Sequence, residues 1–155
     1  MSFVKLPSPF IVRSSPFVLL GGNGQLGWAI RQQLESVPLS APLRTEVDYL
    51  QPERLVTLVE RLRPRVIINA AAYTQVDQAE YEPELAYQIN AKSVAALAEA
   101  SRRVGSLLVH FSTDYVFDGG GNRPWREEDK PSPLNVYGQS KWQGGLAVMA
   151  SGCRH

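Results

Sequence analysis

Phe17-Val18-Leu19-Leu20-Gly21-Gly22-Asn23-Gly24-Gln25-Leu26-Gly27 is the stretch from which the fold can be read. Four apolar residues of strand character run into glycines at 21, 24 and 27, and a segment of helical period follows. Residues 25–36 place Leu26, Ile30 and Leu34 on one stripe, the spacing of a helix laid on a sheet. A glycine turn between a buried strand and a helix lets a pyrophosphate rest against bare N–H groups at the positively polarised helix start. An ordinary strand-to-helix turn is the competing account; strand and helix on the correct sides favour the phosphate cradle.

Outward from that stretch, short apolar runs keep alternating with helical segments, which predicts an α/β fold with a doubly wound parallel sheet. A second strand is expected around 39–43, between Pro38 and Pro42. Pro52 suits a helix start before Leu55, Leu58, Val59 and Leu62, and Pro64 stops the run. Val66-Ile67-Ile68-Asn69-Ala70 reads as a central strand. A long helix opens at Glu82-Pro83-Glu84, carries Leu85, Ile89, Val94 and Leu97, and stops at Gly105. Residues 107–111 form the next strand, and a Gly/Pro-rich connection over 118–135 leads to a last helix over 136–150.

Composition narrows the function classes. The 155 residues are 44% apolar and 20% charged, the balance of one globular domain with a real core. Sixteen basic against fifteen acidic side chains leave a net charge of +1, so no nucleic-acid footprint is expected. No stretch reaches the roughly 20 apolar residues of a membrane span, so no membrane partner is expected either. The single cysteine, Cys153, can form neither an internal disulfide nor a metal cluster, and no metal is expected; a reducing cytoplasm is the natural compartment. Residues 1–16, interrupted by Pro7, Pro9 and Pro16, read as a loose leader, leaving 17–155 as one domain.

Three further groups carry chemistry. Enzymes selective for unphosphorylated NAD place a carboxylate about 20 residues beyond the glycine turn. Here Ala41-Pro42-Leu43-Arg44-Thr45 occupies that region, so Arg44 is read as the grip for a 2′-phosphate, against the common fate of a solvated arginine. NADPH is therefore the expected cofactor, with NADH as the alternative, and Asp48 is a candidate for the adenine side. Tyr137 and Lys141 stand at i and i+4 on one helix face. Carbonyl reduction needs a proton at the developing alkoxide; a phenol with a pKa near 10 supplies it better beside an ammonium, which also holds a cofactor ribose, so Tyr137 and Lys141 are read as cofactor-binding as well. A solvent-exposed helix pair is the alternative. Thr113 lies where a parallel strand exits, the place where ligands of open α/β sheets bind, although a threonine there is commonly a turn-former. Small residues in 69–74 suit close passage under a cofactor, or helix–sheet packing.

Taken together, Gly-x-x-Gly-Gln-Leu-Gly at 21–27, Asn69-Ala70-Ala71-Ala72-Tyr73-Thr74 followed by Val76-Asp77-Gln78-Ala79-Glu80, Ser112-Thr113-Asp114-Tyr115-Val116-Phe117-Asp118-Gly119, and Pro133-Leu134-Asn135-Val136-Tyr137-Gly138-Gln139-Ser140-Lys141 resemble the dTDP-4-dehydrorhamnose reductases, extended short-chain dehydrogenase/reductases with an NAD(P)-binding Rossmann fold. The resemblance runs from about Phe17 to the C-terminus. It implies that Thr113, Tyr137 and Lys141 form the catalytic set. It also implies that the glycine loop (Gly21, Asn23, Gly24, Gln25, Leu26), Asp48, Ala71, Ala72, Tyr73 and Asn90 line the cofactor. The implied reaction is NADP(H)-dependent reduction of the 4-keto group of a dTDP-sugar in dTDP-rhamnose synthesis; homodimerisation is left open. Two departures stand out. Gly144-Gly145 replaces the family's usual Gly-Glu, weakening the helix by roughly 1 kcal/mol, and the chain stops where a further strand and a substrate domain are expected, so activity of this truncated form is in question. A non-catalytic dinucleotide module, similar to the regulatory subunit of methionine adenosyltransferase, is the alternative function; an epimerase of the same class is a third.

Overall fold

The computed structural model describes residues 16–155. The expected leader therefore lies outside the described residues except for Pro16, whose carbonyl accepts hydrogen bonds from the Arg65 and Val66 amides. Four parallel strands form one sheet in the order β2-β1-β3-β4: β1 Phe17–Leu20, β2 Leu39–Ser40, β3 Val66–Asn69 and β4 Leu107–His110. Reversal of strand order on either side of β1 creates the crevice at the carboxyl ends where open α/β sheets take ligands.

Helix α1 (Gln25–Gln33) crosses from β1 to β2, α2 (Pro52–Leu62) from β2 to β3, and α5 (Ser93–Val104) from β3 to β4. Right-handed crossovers to opposite sides of β1 place α1 on one face and α2 and α5 on the other. The larger face carries the core, where Val18, Leu20, Ile67 and Leu108 of the sheet meet Leu55, Leu58 and Val59 of α2. Val94, Leu97 and Ala98 of α5 and Val148 of α6 (Val136–Ala150) complete that layer. Cys153 is buried in the same cluster. No helix among the described residues is long and apolar enough to cross a membrane.

Local chemistry sets the boundaries. Pro52 begins α2, and Arg63 ends it in a left-handed turn ahead of Pro64. Gly105 closes α5 with φ 76°. Three expectations are modified. β2 shrinks to two residues because Pro42, which cannot donate to a ladder, follows so closely. The stripe on α1 is not a core stripe: Leu26 is 43% exposed, and Gly27 is the helix's buried residue. Finally, beyond the short helix α3 (Val76–Ala79), the long helix from residue 82 is α4 (Pro83–Tyr87), a π-helical turn over Gln88–Lys92, and α5.

Candidate active site

The glycine turn brings three pieces of backbone together. Gly21 has φ 78°, and a Cβ there would collide with the backbone of Ala70 and Ala71. A Cβ on Gly27 would overlap the Gly21 carbonyl, so α1 can sit this close to the turn only because residue 27 has no side chain. Gly24 caps α1 without a side-chain hydrogen bond, its own amide donating to the Gly21 carbonyl at 3.0 Å. The first-turn N–H groups of this nine-residue helix are thus left for an anion.

An open cavity of about 700 Å³ begins at that helix start. Its lining takes in Gly21 to Leu26 of the turn, Arg44 and Asp48 from the segment after β2, Ala71 and Ala72 from the loop after β3, and Tyr137 and Lys141 of α6. The turn and the tyrosine–lysine pair, more than a hundred residues apart in sequence, therefore face one space. Leu26 is exposed because it belongs to this wall.

Lys141 is 4% exposed, and its Nζ donates to the Phe111 carbonyl at 2.6 Å, tying α6 to the exit of β4. Burial pulls its pKa down from 10.5 to about 8. Tyr137 is half-buried against Tyr115, edge to face with ring centroids 5.5 Å apart; its hydroxyl has no protein hydrogen-bond partner among the described residues. Asn135 caps α6 by accepting from the Gly138 amide, which fixes the phase of the helix and so the direction of Tyr137. A Cβ on Gly138 would overlap the Tyr115 carbonyl.

Three of the expected residues sit elsewhere. Thr113 lies beside the cavity, where Phe111 and Ser112 form the wall; its Oγ1 donates to Asp114 Oδ1 and accepts from the Tyr115 amide, capping a 3-10 turn over Asp114–Val116. Tyr73 is buried outside the cavity, and its hydroxyl donates to Glu82 at 2.8 Å. Burial and that carboxylate raise the Tyr73 pKa. Asn90 is 1% exposed and acts as a bracket: Oδ1 accepts from the Tyr73 amide, while Nδ2 donates to the Tyr73 carbonyl and to Ser140 Oγ. Asn90 thereby joins the loop after β3 to α6, one residue before Lys141.

Sequence reasoning gave Tyr49 and His110 no role and read Asn69 only as the head of the small-residue segment 69–74. Tyr49 and Asn69 line the cavity, and the Tyr49 hydroxyl donates to Asn69 Oδ1 at 2.5 Å. Asn69 and His110, side by side in the parallel register, are polar residues inside apolar strand runs, a signal that was present in the sequence. Burial, with the charge of Lys141 adding to it, lowers the His110 pKa from 6.5 to about 4.

The parallel sheet, its strand-order reversal and the glycine turn under a crevice define a Rossmann dinucleotide-binding fold. The chain belongs to the family described as the RmlD substrate binding domain, which matches residues 16–155. It is 44% identical over 145 residues to the dTDP-4-dehydrorhamnose reductase of Salmonella typhimurium, covering 89% of this chain and 48% of that protein. With the enzyme of that name from Burkholderia thailandensis it shares 46% identity over 136 residues, 87% of this chain and 46% of the other. A crystal structure of dTDP-4-dehydrorhamnose reductase from Bacillus anthracis in complex with NADP superposes with a TM-score of 0.86 at 38% identity, covering 91% of this chain and 51% of that one. The chain thus spans about half the length of these relatives.

Proposed function

We propose that this chain is the cofactor-binding and proton-donating part of an NADP(H)-dependent reductase that converts the 4-keto group of dTDP-4-dehydrorhamnose to the alcohol of dTDP-rhamnose. One observation carries the reading: one cavity is lined both by an uncapped, glycine-built helix start and by Tyr137 with Lys141. Its relatives bear that enzyme's name, and one of them was crystallised with NADP.

The residues fit a phosphorylated dinucleotide. The backbone N–H groups of Gln25 and Leu26 suit the pyrophosphate, and the alanines at 71 and 72 leave room for the cofactor to pass. Arg44 is the cation beside the adenine end, where Ala41-Pro42 follows β2 with no carboxylate to hold a ribose diol. The nearby acids are engaged, Glu46 accepting from the Leu43 amide and one Asp48 oxygen from the Leu50 amide. NADPH is therefore preferred over NADH.

A nicotinamide held there would supply the hydride. Tyr137 donates its phenolic proton to the carbonyl oxygen as charge develops there, which requires that oxygen within about 3 Å of the hydroxyl. Lys141, fixed by the Phe111 carbonyl, places an ammonium beside the resulting phenolate and keeps a donor for the cofactor ribose. Thr113 adds a second donor to the same oxygen once its hydroxyl turns from Asp114. A lone buried cysteine suits a reducing compartment such as the cytoplasm. A non-catalytic dinucleotide module would share the cradle but has no use for a buried lysine tied to the strand exit under a tyrosine.

The test is NADPH binding to this chain, followed by NADPH consumption with dTDP-4-dehydrorhamnose. Tyr137→Phe should leave binding unchanged and lower turnover by about 10²–10⁴-fold. Absence of NADPH binding, or turnover unaffected by Tyr137→Phe, refutes the proposal. NADPH retained without net consumption would point to epimerisation instead.

A further inference from the structure

We propose that His110, held by Asn69 as its Nε2–H tautomer, is a positioning residue that sets two walls of the cofactor cavity, the segment 70–72 and Tyr49. The proposal rests on the reading of that cavity as a dinucleotide site. It starts from the Asn69 side chain, which is 1% exposed at the end of β3.

Asn69 Oδ1 lies 3.2 Å from the Ala71 amide nitrogen and also receives the Tyr49 hydroxyl. A backbone N–H can only donate, so the side-chain atom facing it is the oxygen, and the orientation of the amide is fixed. Nδ2 then points at His110 Nδ1, 3.1 Å away. Nδ2 has hydrogens only to give, so His110 Nδ1 must accept, and a nitrogen that accepts carries no proton. The imidazole hydrogen therefore sits on Nε2, which is buried and unpartnered among the described residues. A proton on Nδ1 would set N–H against N–H.

Each member of this chain controls a different wall. Asn69 Oδ1 turns the backbone after β3 inward through Ala71, which lines the cavity together with Ala70 and Ala72. Tyr49, also on the wall, is held by Asn69 and by a hydrogen bond from Ser93 Oγ to its carbonyl. His110 itself is not on the wall. Its contribution is the acceptor that keeps the Asn69 amide from rotating. Without it, a buried N–H₂ loses its partner and the carbonyl that steers Ala71 is free to turn away.

Two variants and one spectrum test this. His110→Phe keeps a ring but offers no acceptor, and should weaken NADPH binding about tenfold or more, the size of one buried hydrogen bond lost. His110→Asn puts an oxygen near the position of Nδ1 and should bind NADPH within about threefold of wild type. Nitrogen NMR of the imidazole in the unmodified chain at neutral pH should show the proton on Nε2 and an unprotonated, hydrogen-bonded Nδ1. A folded His110→Phe chain that binds NADPH as tightly as wild type overturns the proposal, as does an imidazole protonated on Nδ1. If His110→Phe does not fold, a His110→Asn chain that folds but binds NADPH about tenfold more weakly overturns it as well. Failure of the unmodified chain to bind NADPH overturns the dinucleotide reading and this inference with it, whereas loss of the variant effect alone overturns only the role of His110.

Discussion

Gly144→Ala and Gly145→Ala should change stability in opposite directions although they are neighbours in one helix. In an open helical position the exchange gains about 1 kcal/mol from intrinsic propensity. Gly145 has such a position, with nothing within 4 Å of an added Cβ. At Gly144 the added carbon would overlap the carbonyl oxygen of Asn90, where the π-helical turn presses against α6. Backbone atoms cannot rotate aside, so the helices must separate, an overpacking cost of about 1–3 kcal/mol. Separation also strains the Asn90 bonds to Tyr73 and Ser140, each worth about 1 kcal/mol. The net expectation is a loss of about 2–4 kcal/mol for Gly144→Ala and a gain of about 1 kcal/mol for Gly145→Ala. Urea unfolding followed by circular dichroism reads both. A Gly144→Ala chain as stable as wild type would refute the reasoning, because it would mean that α6 does not depend on contact with the Asn90 carbonyl.

Other expectations follow from the buried ionisable groups and from residues outside the cavity. The native state keeps His110 neutral down to about pH 4 while the unfolded chain takes up its proton near 6.5, so stability present above pH 6.5 is lost as pH falls toward 4, by about 3 kcal/mol; urea titrations at several pH values should show this slope reduced in His110→Asn. Lys141→Met, of similar volume, removes a buried ammonium and should stabilise the fold by about 1–2 kcal/mol while weakening NADPH binding about tenfold, measured by melting and by cofactor fluorescence. Tyr73→Phe should cost about 0.5–1.5 kcal/mol through the lost bond to Glu82 and leave NADPH affinity unchanged, since that ring lies outside the cavity.

Much of this architecture was legible because local rules and tertiary packing agree. The glycines at 21 and 27, Pro52 at a helix start and Gly105 at a helix end each meet a backbone need visible in sequence. The Tyr137–Lys141 spacing also placed both side chains on one helix face, and the structure brings that face to the glycine turn. What could not be read has equally physical causes. The Leu26 stripe suggested burial, but the first turn of α1 belongs to the cavity, and its close approach to β1 is made through Gly27 instead of a large side chain. The π-helical turn adds a residue to one turn of an otherwise helical pattern, and periodicity does not register it. Tyr73 and Asn90 are near the cofactor loop in sequence but turn inward, toward Glu82 and toward the bracket between the β3 loop and α6. The Tyr49–Asn69–His110 chain involves three separate segments, so no single window contains it.

Amide chemical-shift mapping of the nitrogen-labelled chain during addition of NADPH tests the central claim most directly. The account predicts the largest changes at residues 22–27, at Ala71 and Ala72, and around Tyr137 and Lys141, with the Arg123–Asp129 ion-paired loop unmoved. Changes confined to other surfaces, or a spectrum indifferent to NADPH, would contradict it.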